Sequence, residues 1–344
     1  MLTGNFKERY EADEALLRTA RSRYWAALLA ALLVALPFAG NDYHLYLACL
    51  LGINVIAATG INILTGFTGL ISLGHAAFMG VGAYAAAWFA NQLALPFYLC
   101  LPLGGLAAAM VGIVVGLPSL RIKGLYLAIA TLAAQFILGF VFNEWEPVTG
   151  GGRGTSVPPA EIGSLVLDTE FELYWLILVI TVLSLVFARN LFRTRIGRAF
   201  IAVRDRDISA EVMGIDLLRT KLASFALSSF YAGIAGGLMA YFFKVVTPEQ
   251  YSFGISVMIL AAIVVGGMGT ILGGVLGAIF MTLMPEALGQ ISLSFGPQAV
   301  PLLSPAREVV FGLLIVLFLI FEPRGLAEIW RRFKRSYDRW PFRT

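Results

Sequence analysis

Ser72 and His75 stand three residues apart, a spacing that brings a hydroxyl and an imidazole onto one face of a helix. Such a pair suits a hydrolase with a serine nucleophile only when oxyanion donors and an activated hydroxyl accompany it. No recognisable motif frames these two, and the competing role for His75 is a hydrogen bond between helices. Other neutral polar residues recur at helical spacing. Asn54, Ala58, Asn62 and Thr65 share one face, Thr131 and Gln135 are one turn apart, and Ser224, Ser228 and Tyr231 align. These groups either line a path for a small polar solute or tie helices together. The candidate path residues are Asn54, Asn62, Thr65, Ser72, His75, Thr131, Gln135 and Ser228.

Other chemistry is missing. The chain has no G-x-x-x-x-G-K-[ST] phosphate loop, so it is not expected to hydrolyse ATP itself. It has no H-E-x-x-H and no Cys/His cluster, so no metal or other cofactor is expected on it. Cys49 and Cys100 sit inside apolar runs and read as packing residues. Glu144, Lys244, Glu286, Arg307 and Glu308 fall near the ends of apolar runs rather than within them. Proton-driven carriers keep ionisable groups inside the membrane, so the pattern argues against proton coupling, though not against sodium held by backbone oxygens. The energy for any transport would enter from outside this chain.

The elements that must position these residues are membrane spans. Of 344 residues, 59% are hydrophobic and 13% charged, and mean hydropathy is +0.82. Soluble domains run near one-quarter charged, so the chain reads as an all-α integral membrane protein. Long continuous apolar runs exclude a transmembrane β-barrel. About ten spans are expected: Tyr24–Ala39, Tyr43–Thr65, Ala76–Leu93, Phe97–Leu117, Leu125–Phe142, Leu173–Ala188, Leu222–Phe243, two within Ile255–Leu283, and Val309–Phe321. Basic residues gather before the first span (Arg18, Arg21, Arg23), after the fourth (Arg121, Lys123), within 189–221 and along the tail 327–344. The loop 143–172 is acidic. The positive-inside rule then puts both termini, the tails 1–23 and 327–344, in the cytoplasm and 143–172 outside. The net charge of +4 follows from these edge clusters and calls for no nucleic acid. The turns Gly66–Gly74 and Gly266–Gly273 share a G-x-x-G-x-I core, an internal-repeat signal typical of transporters; close helix packing on glycine is the other reading.

Residues 189–221 form a charged block stranded between apolar runs. Such a segment cannot lie in lipid. Ala199–Met213 has helical composition, with Gly197 before it and Gly214 ending it. Ile201, Ile208 and Val212 are expected on one face. Its mixed signs favour a protein contact over a lipid-surface helix, which would be mainly basic.

Several stretches together resemble the permease subunit of branched-chain amino acid ABC importers, the LivM type of the LivH/LivM family. They are GFTGLISLGHAAFMGVGAY (66–84), LPSLRIKGLYLAIATLAAQFI (117–137), TGGGRG (149–154), IGRAFIAVRDRDISAEVMGID (196–216), PEQYSFGISVMILAAIVVGGMGTILGGVLGA (248–278) and FEPRGL (321–326). The resemblance implies a type II importer-like architecture in a bacterial inner membrane, alternating access, and a homologous LivH-type permease as partner. It further implies two cytoplasmic ATPase subunits, which carry the ATP and magnesium, and a periplasmic solute-binding protein. Within the block, Gly197, Arg198, Ala199, Ala202, Arg204, Asp205, Ala210 and Gly214 would form the segment that docks on the ATPase, loosely matching the importer pattern E-A-A then Gly. The sequence Gly152-Arg153-Gly154 departs from relatives, in which Asn or Leu often follows the TGG stretch, and leaves the solute open among branched-chain amino acids, urea, amides and aromatic acids. The competing reading is a secondary carrier or facilitator working alone, which needs neither an ATPase nor a shaped loop.

Overall fold

A computed structural model describes residues 20–119, 124–162, 165–294, 300–322 and 324–339. The tail before residue 20, including Arg18, and the basic residues Arg121, Lys123 and Arg343 lie outside the described residues. The chain divides into two compact units, Met1–Tyr46 and Leu47–Thr344. In the first, α1 (Ala20–Ala39) is an apolar helix whose Tyr24, Trp25, Leu29 and Leu32 are exposed. Its last turn closes where the Gly40 N–H donates to the Leu36 carbonyl. The helix α2 (Asp42–Ile61) begins in this unit and continues into the second.

In the second unit α2 runs into a π-helix, Asn62–Phe67. Then come α3 (His75–Leu93), α4 (Phe97–Ser119), α5 (Leu125–Glu144) and the single turn α6 (Glu146–Thr149). Two short strands, β1 (Thr155–Ser156) and β2 (Ala160–Ile162), precede β3 (Leu165–Leu167) and α7 (Glu170–Leu191). The charged block holds α8 (Arg195–Asp205) and α9 (Asp207–Val212). The rest is α10 (Leu217–Phe243), β4 (Val245–Val246), α11 (Phe253–Gly266), α12 (Ile271–Ser294), α13 (Val300–Phe321) and α14 (Leu326–Arg339). Every expected span carries a helix, and the all-α class holds; the strands only fasten a loop.

Among the described residues seven helices are long and apolar enough to cross a membrane, and two shorter apolar stretches, Ala27–Phe38 and Val309–Phe318, occupy the first and last expected spans. The remaining expected span is α3. Its alanines, glycines and polar ends lower its hydropathy, and most of its residues are buried against other helices. A helix surrounded by protein does not need a lipid-facing surface. Packing in this centre is close. A Cβ added to Gly82 of α3 would strike the Gly233 backbone of α10, and one added to Gly236 would strike the Met79 carbonyl. Small residues admit this backbone approach and so bring α3, α4 and α10 together.

At one end of α10 the loop is tied down. β1 pairs antiparallel with β4, matching Thr155 with Val246, Asn91 Nδ2 donates to the Ser156 carbonyl at 2.8 Å, and Lys244 forms an ion pair with Asp168. Thr169 and Glu172 make a capping box that starts α7. At the other end of α10 lies the charged block, which differs from the expected single helix over Ala199–Met213. Thr194 caps α8 earlier, accepting from the Gly197 N–H at 3.3 Å. Gly197 is therefore inside the helix, pressed on the Leu191 and Phe192 backbone. Arg206, at φ −158 and ψ 106, breaks the helix. Asp207 then opens α9, where an acidic residue suits the helix N-terminus. The break also dissolves the expected Ile201–Ile208–Val212 face: Phe200, Val203 and Ala210 are buried instead, while Ile208 and Val212 are exposed. Gly214, at φ +85, ends α9 as expected.

Replacing Gly236 with Leu should therefore lower the melting temperature and the monodisperse yield of the detergent-purified chain, since overpacking costs about 1–3 kcal/mol or more. Gly139→Ala is the control. Its new Cβ meets nothing within 4 Å, and a helical Gly→Ala change should leave stability equal or higher by about 0.5–1 kcal/mol.

Candidate coupling site and solute path

The two glycine-rich turns flagged in the sequence meet in space. A Cβ on Gly66 would come within 2.5 Å of the Gly269 nitrogen. Asn62, the first residue of the π-helix, holds them together: its Oδ1 accepts from the Gly269 N–H at 3.0 Å, and its Nδ2 donates to the Thr270 carbonyl at 2.8 Å. Gly69 and Gly269 both take the left-handed conformation, at φ +76 and +72. The turns thus share a local shape as well as a pattern. They differ in length, since α12 begins two residues after Gly269 and α3 six residues after Gly69.

The charged block grips this junction. Arg204 Nη1 donates to the Gly66 carbonyl at 3.0 Å, while its Nε and Nη2 donate to Asp205 at 3.2 and 3.1 Å. A π-helix leaves carbonyls at its end without the usual i+4 donor, and the guanidinium supplies one. Phe67 stacks on Phe192 with ring centroids 3.5 Å apart and planes at 18°. Arg198 donates to the Arg193 carbonyl at 2.7 Å and stays exposed, Ala199 and Ala202 are half-buried, and the Ala210 carbonyl accepts from the Ile215 N–H at 3.0 Å. The inner face of the block is thus bound to the bundle. Its outer face carries exposed Ile208, Val212 and Met213.

A second polar cluster surrounds the start of α3, which is buried. The first N–H groups of a helix have no partner within it, and in a lipid-embedded protein each orphan costs several kcal/mol. Here side chains answer them. Leu73 N–H donates to Thr131 Oγ1 at 3.0 Å, Gly74 N–H to Ser72 Oγ at 3.4 Å, Ala76 N–H to Ser256 Oγ at 2.8 Å, and Ala77 N–H to Gln135 Oε1 at 2.9 Å. Ser256 Oγ also donates to Gln135 Oε1 at 3.0 Å, and Gln135 Nε2 donates to the Tyr251 carbonyl at 2.8 Å. His75 Nε2 bonds the Ala57 carbonyl at 3.0 Å, which joins α3 to α2.

A third location is a cavity of about 90 Å³ between α2, α11 and α12, lined by Asn54, Ala58, Met258, Ile259, Met281 and Thr282 among others. Asn54 Nδ2 donates to Thr282 Oγ1 at 2.9 Å on its wall. Its walls are otherwise apolar.

Comparison with known proteins gives this arrangement a family. The family described as "Branched-chain amino acid transport system / permease component" matches residues 43–319. The chain belongs to that family. The permease is 32% identical to the high-affinity branched-chain amino acid transport system permease protein LivM of Escherichia coli (strain K12), over 91% of this chain and 76% of that one. It is 26% identical to the probable branched-chain amino acid transport permease protein LivH of Methanocaldococcus jannaschii, over 82% of this chain and 90% of that one. It is 30% identical to the autoinducer 2 import system permease protein LsrC of Enterobacter sp. (strain 638), over 58% of this chain and 57% of that one. No solved structure matches. Its relatives identify it as a LivM-type ABC importer permease subunit, a transporter component and not an enzyme.

The permease distributes its sequence-read residues among separate jobs. Ser72, His75, Thr131 and Gln135 converge on the start of α3, and Asn62 joins the two turns. Thr65 Oγ1 donates locally, to the Leu70 carbonyl at 3.0 Å. Only Asn54 borders the cavity. Ser72 and His75 each hydrogen-bond backbone rather than one another. Ser228 Oγ is buried without a hydrogen-bond partner. The sequence reading missed Thr282, Met258, Met281, Ser256 and Thr194. Ser256 and Met258 lie inside the 248–278 stretch that carried the family likeness, and Thr194 stands three residues before Gly197, the spacing of a helix cap.

Two substitutions separate a framework role from a path role. Gln135→Leu strands the Ala77 N–H and should lower the melting temperature of the purified permease, at about 1–3 kcal/mol per unsatisfied buried group. Ser228→Ala removes an unpartnered hydroxyl and should leave that temperature unchanged or raise it.

Proposed function

We propose that this permease is the LivM-type half of an ATP-driven importer in a bacterial inner membrane, with both termini cytoplasmic. It works beside a homologous LivH-type permease, two cytoplasmic ATPase subunits and a periplasmic solute-binding protein. The cargo is a branched-chain amino acid or a related small polar solute. The branched-chain amino acid transport permeases among its relatives support that class, as do the apolar walls and single amide–hydroxyl pair of the Asn54–Thr282 cavity. ATP and magnesium belong to the ATPase subunits.

One observation carries the reading: the charged block is joined to the membrane core by Arg204, whose guanidinium binds the Gly66 carbonyl at 3.0 Å, while Ile208, Val212 and Met213 remain exposed on its other side. An ATPase that closes on ATP moves the exposed side. Arg204 and the Phe67–Phe192 stack transmit that motion to the joined glycine turns and so to α2, α11 and α12, the helices around the cavity. Alternating access follows from motion of those helices.

The test is reconstitution of the whole transporter in vesicles with its binding protein, measuring ATP hydrolysis and leucine uptake together. Arg204→Ala should cut uptake about 10–100-fold, the range implied by losing a charged hydrogen bond of about 1.5–3 kcal/mol, while hydrolysis continues. A proline inserted at Ala202 should also uncouple the two. Uptake that persists in the permease alone, with no ATPase subunit, would overturn the importer reading.

A further inference from the structure

The helix α14 (Leu326–Arg339) follows directly on the last span and is more amphipathic than the packed helices before it. Leu326, Ile329, Trp330 and Phe333 fall at i, i+3, i+4 and i+7, one apolar stripe. In a soluble bundle that stripe would face the protein. Here it faces away: Ile329, Trp330 and Phe333 are 42%, 53% and 66% exposed, whereas Ala327 is 2% exposed. The helix rests on the bundle by Ala327, which packs beside Gly267, and by Gly325, at φ +75, pressed on the Gly267 backbone. An ion pair from Arg332 to Glu322 at 2.9 Å fixes its angle to the end of α13. The exposed stripe continues the exposed apolar surface of α13, where Ile320 and Phe321 lie open at that same end.

Charge identifies the occupant. Between Glu322 and Arg339 the chain has six basic residues against three acidic ones. Glu322 and Glu328 are engaged by Arg332 and Arg331, which leaves the excess positive. A helix with an aromatic stripe and a basic remainder, joined to a span at the membrane boundary, matches the plane of anionic headgroups: rings enter the acyl boundary and long basic side chains reach the phosphates. A mixed-sign surface such as that of α9 lacks this signature. We propose that α14 is an interfacial helix seated on the anionic lipid surface of the leaflet at the Arg204 end of the bundle. Because it presses on Gly267, two residues before Gly269, this seat anchors the glycine junction to the membrane plane.

The test uses the full-length permease, spin-labelled at F333C or at R331C on the opposite face, in vesicles of phosphatidylcholine with or without phosphatidylglycerol. Both positions are exposed, so folding is checked simply by elution profile. In anionic vesicles the label at position 333 should be accessible to oxygen and shielded from an aqueous nickel chelate, with the reverse at 331. Removing phosphatidylglycerol or raising salt should move the 333 label toward water. Adding K334Q to F333C should shift the docked-to-undocked ratio about five-fold, the change expected for one basic residue near an anionic surface. Equal water exposure at 333 and 331 overturns the proposal, as does indifference to lipid charge. Shielding of 333 that appears only when ATPase subunits are added also overturns it and makes the stripe a protein interface.

Discussion

Asn62 closes the junction on which several other contacts of this architecture rest. It occupies the point where α2 passes from α-helix into π-helix, and its amide satisfies a donor and an acceptor on a turn more than 200 residues away in sequence. A primary amide does both at once, its oxygen accepting and its nitrogen donating. Without it, the Gly269 N–H and the Thr270 carbonyl would both lose their partner, at a junction where a Cβ on Gly66 would come within 2.5 Å of the Gly269 nitrogen. The seat of Arg204, the stack of Phe67 on Phe192 and the contact of Gly325 with Gly267 all presuppose that this junction is closed.

A similar economy governs the start of α3. Beginning a helix inside a membrane protein exposes donors that lipid cannot satisfy. Thr131, Ser72, Ser256 and Gln135 satisfy them from three different parts of the chain. What looks in one dimension like a polar lining for a solute is, in three, a socket for backbone. A chain can interrupt its spans near the middle of the bundle, and so bring turns and cavities there, only when it also supplies such a socket.

Much of this was legible in the sequence. Apolar runs located the helices of the expected spans because a lipid-facing helix demands continuous hydrophobicity, and the charged block stood out for the converse reason. The glycine pattern of 66–69 and 266–269 marked the two turns that meet. The assignment of polar residues was not legible. Asn54, Asn62, Thr131 and Gln135 show helical spacing whether they face solute or backbone, and apart from the Ala128 carbonyl, three residues from Thr131, their partners lie 58 to 228 residues distant. The division of the block into α8 and α9 turns on a balance between Thr194 as a cap and Asp207 as a start, two local preferences that overrule the composition of Ala199–Met213.

The uninterrupted length of α10 has a mechanical consequence. Its 27 residues make a rod of about 40 Å at 1.5 Å per residue, while α2, α3 and α11 are each broken or shortened. One tip follows Asp216, whose side chain caps it by accepting from the Arg219 N–H at 3.0 Å. The other tip ends at Lys244, held by Asp168, with β4 paired to β1 just beyond. A stiff strut fastened at both faces of the bilayer does not absorb a push by bending. A rod fastened at both ends in this way links the Asp216 tip mechanically to the strand pair at the other end of the bundle.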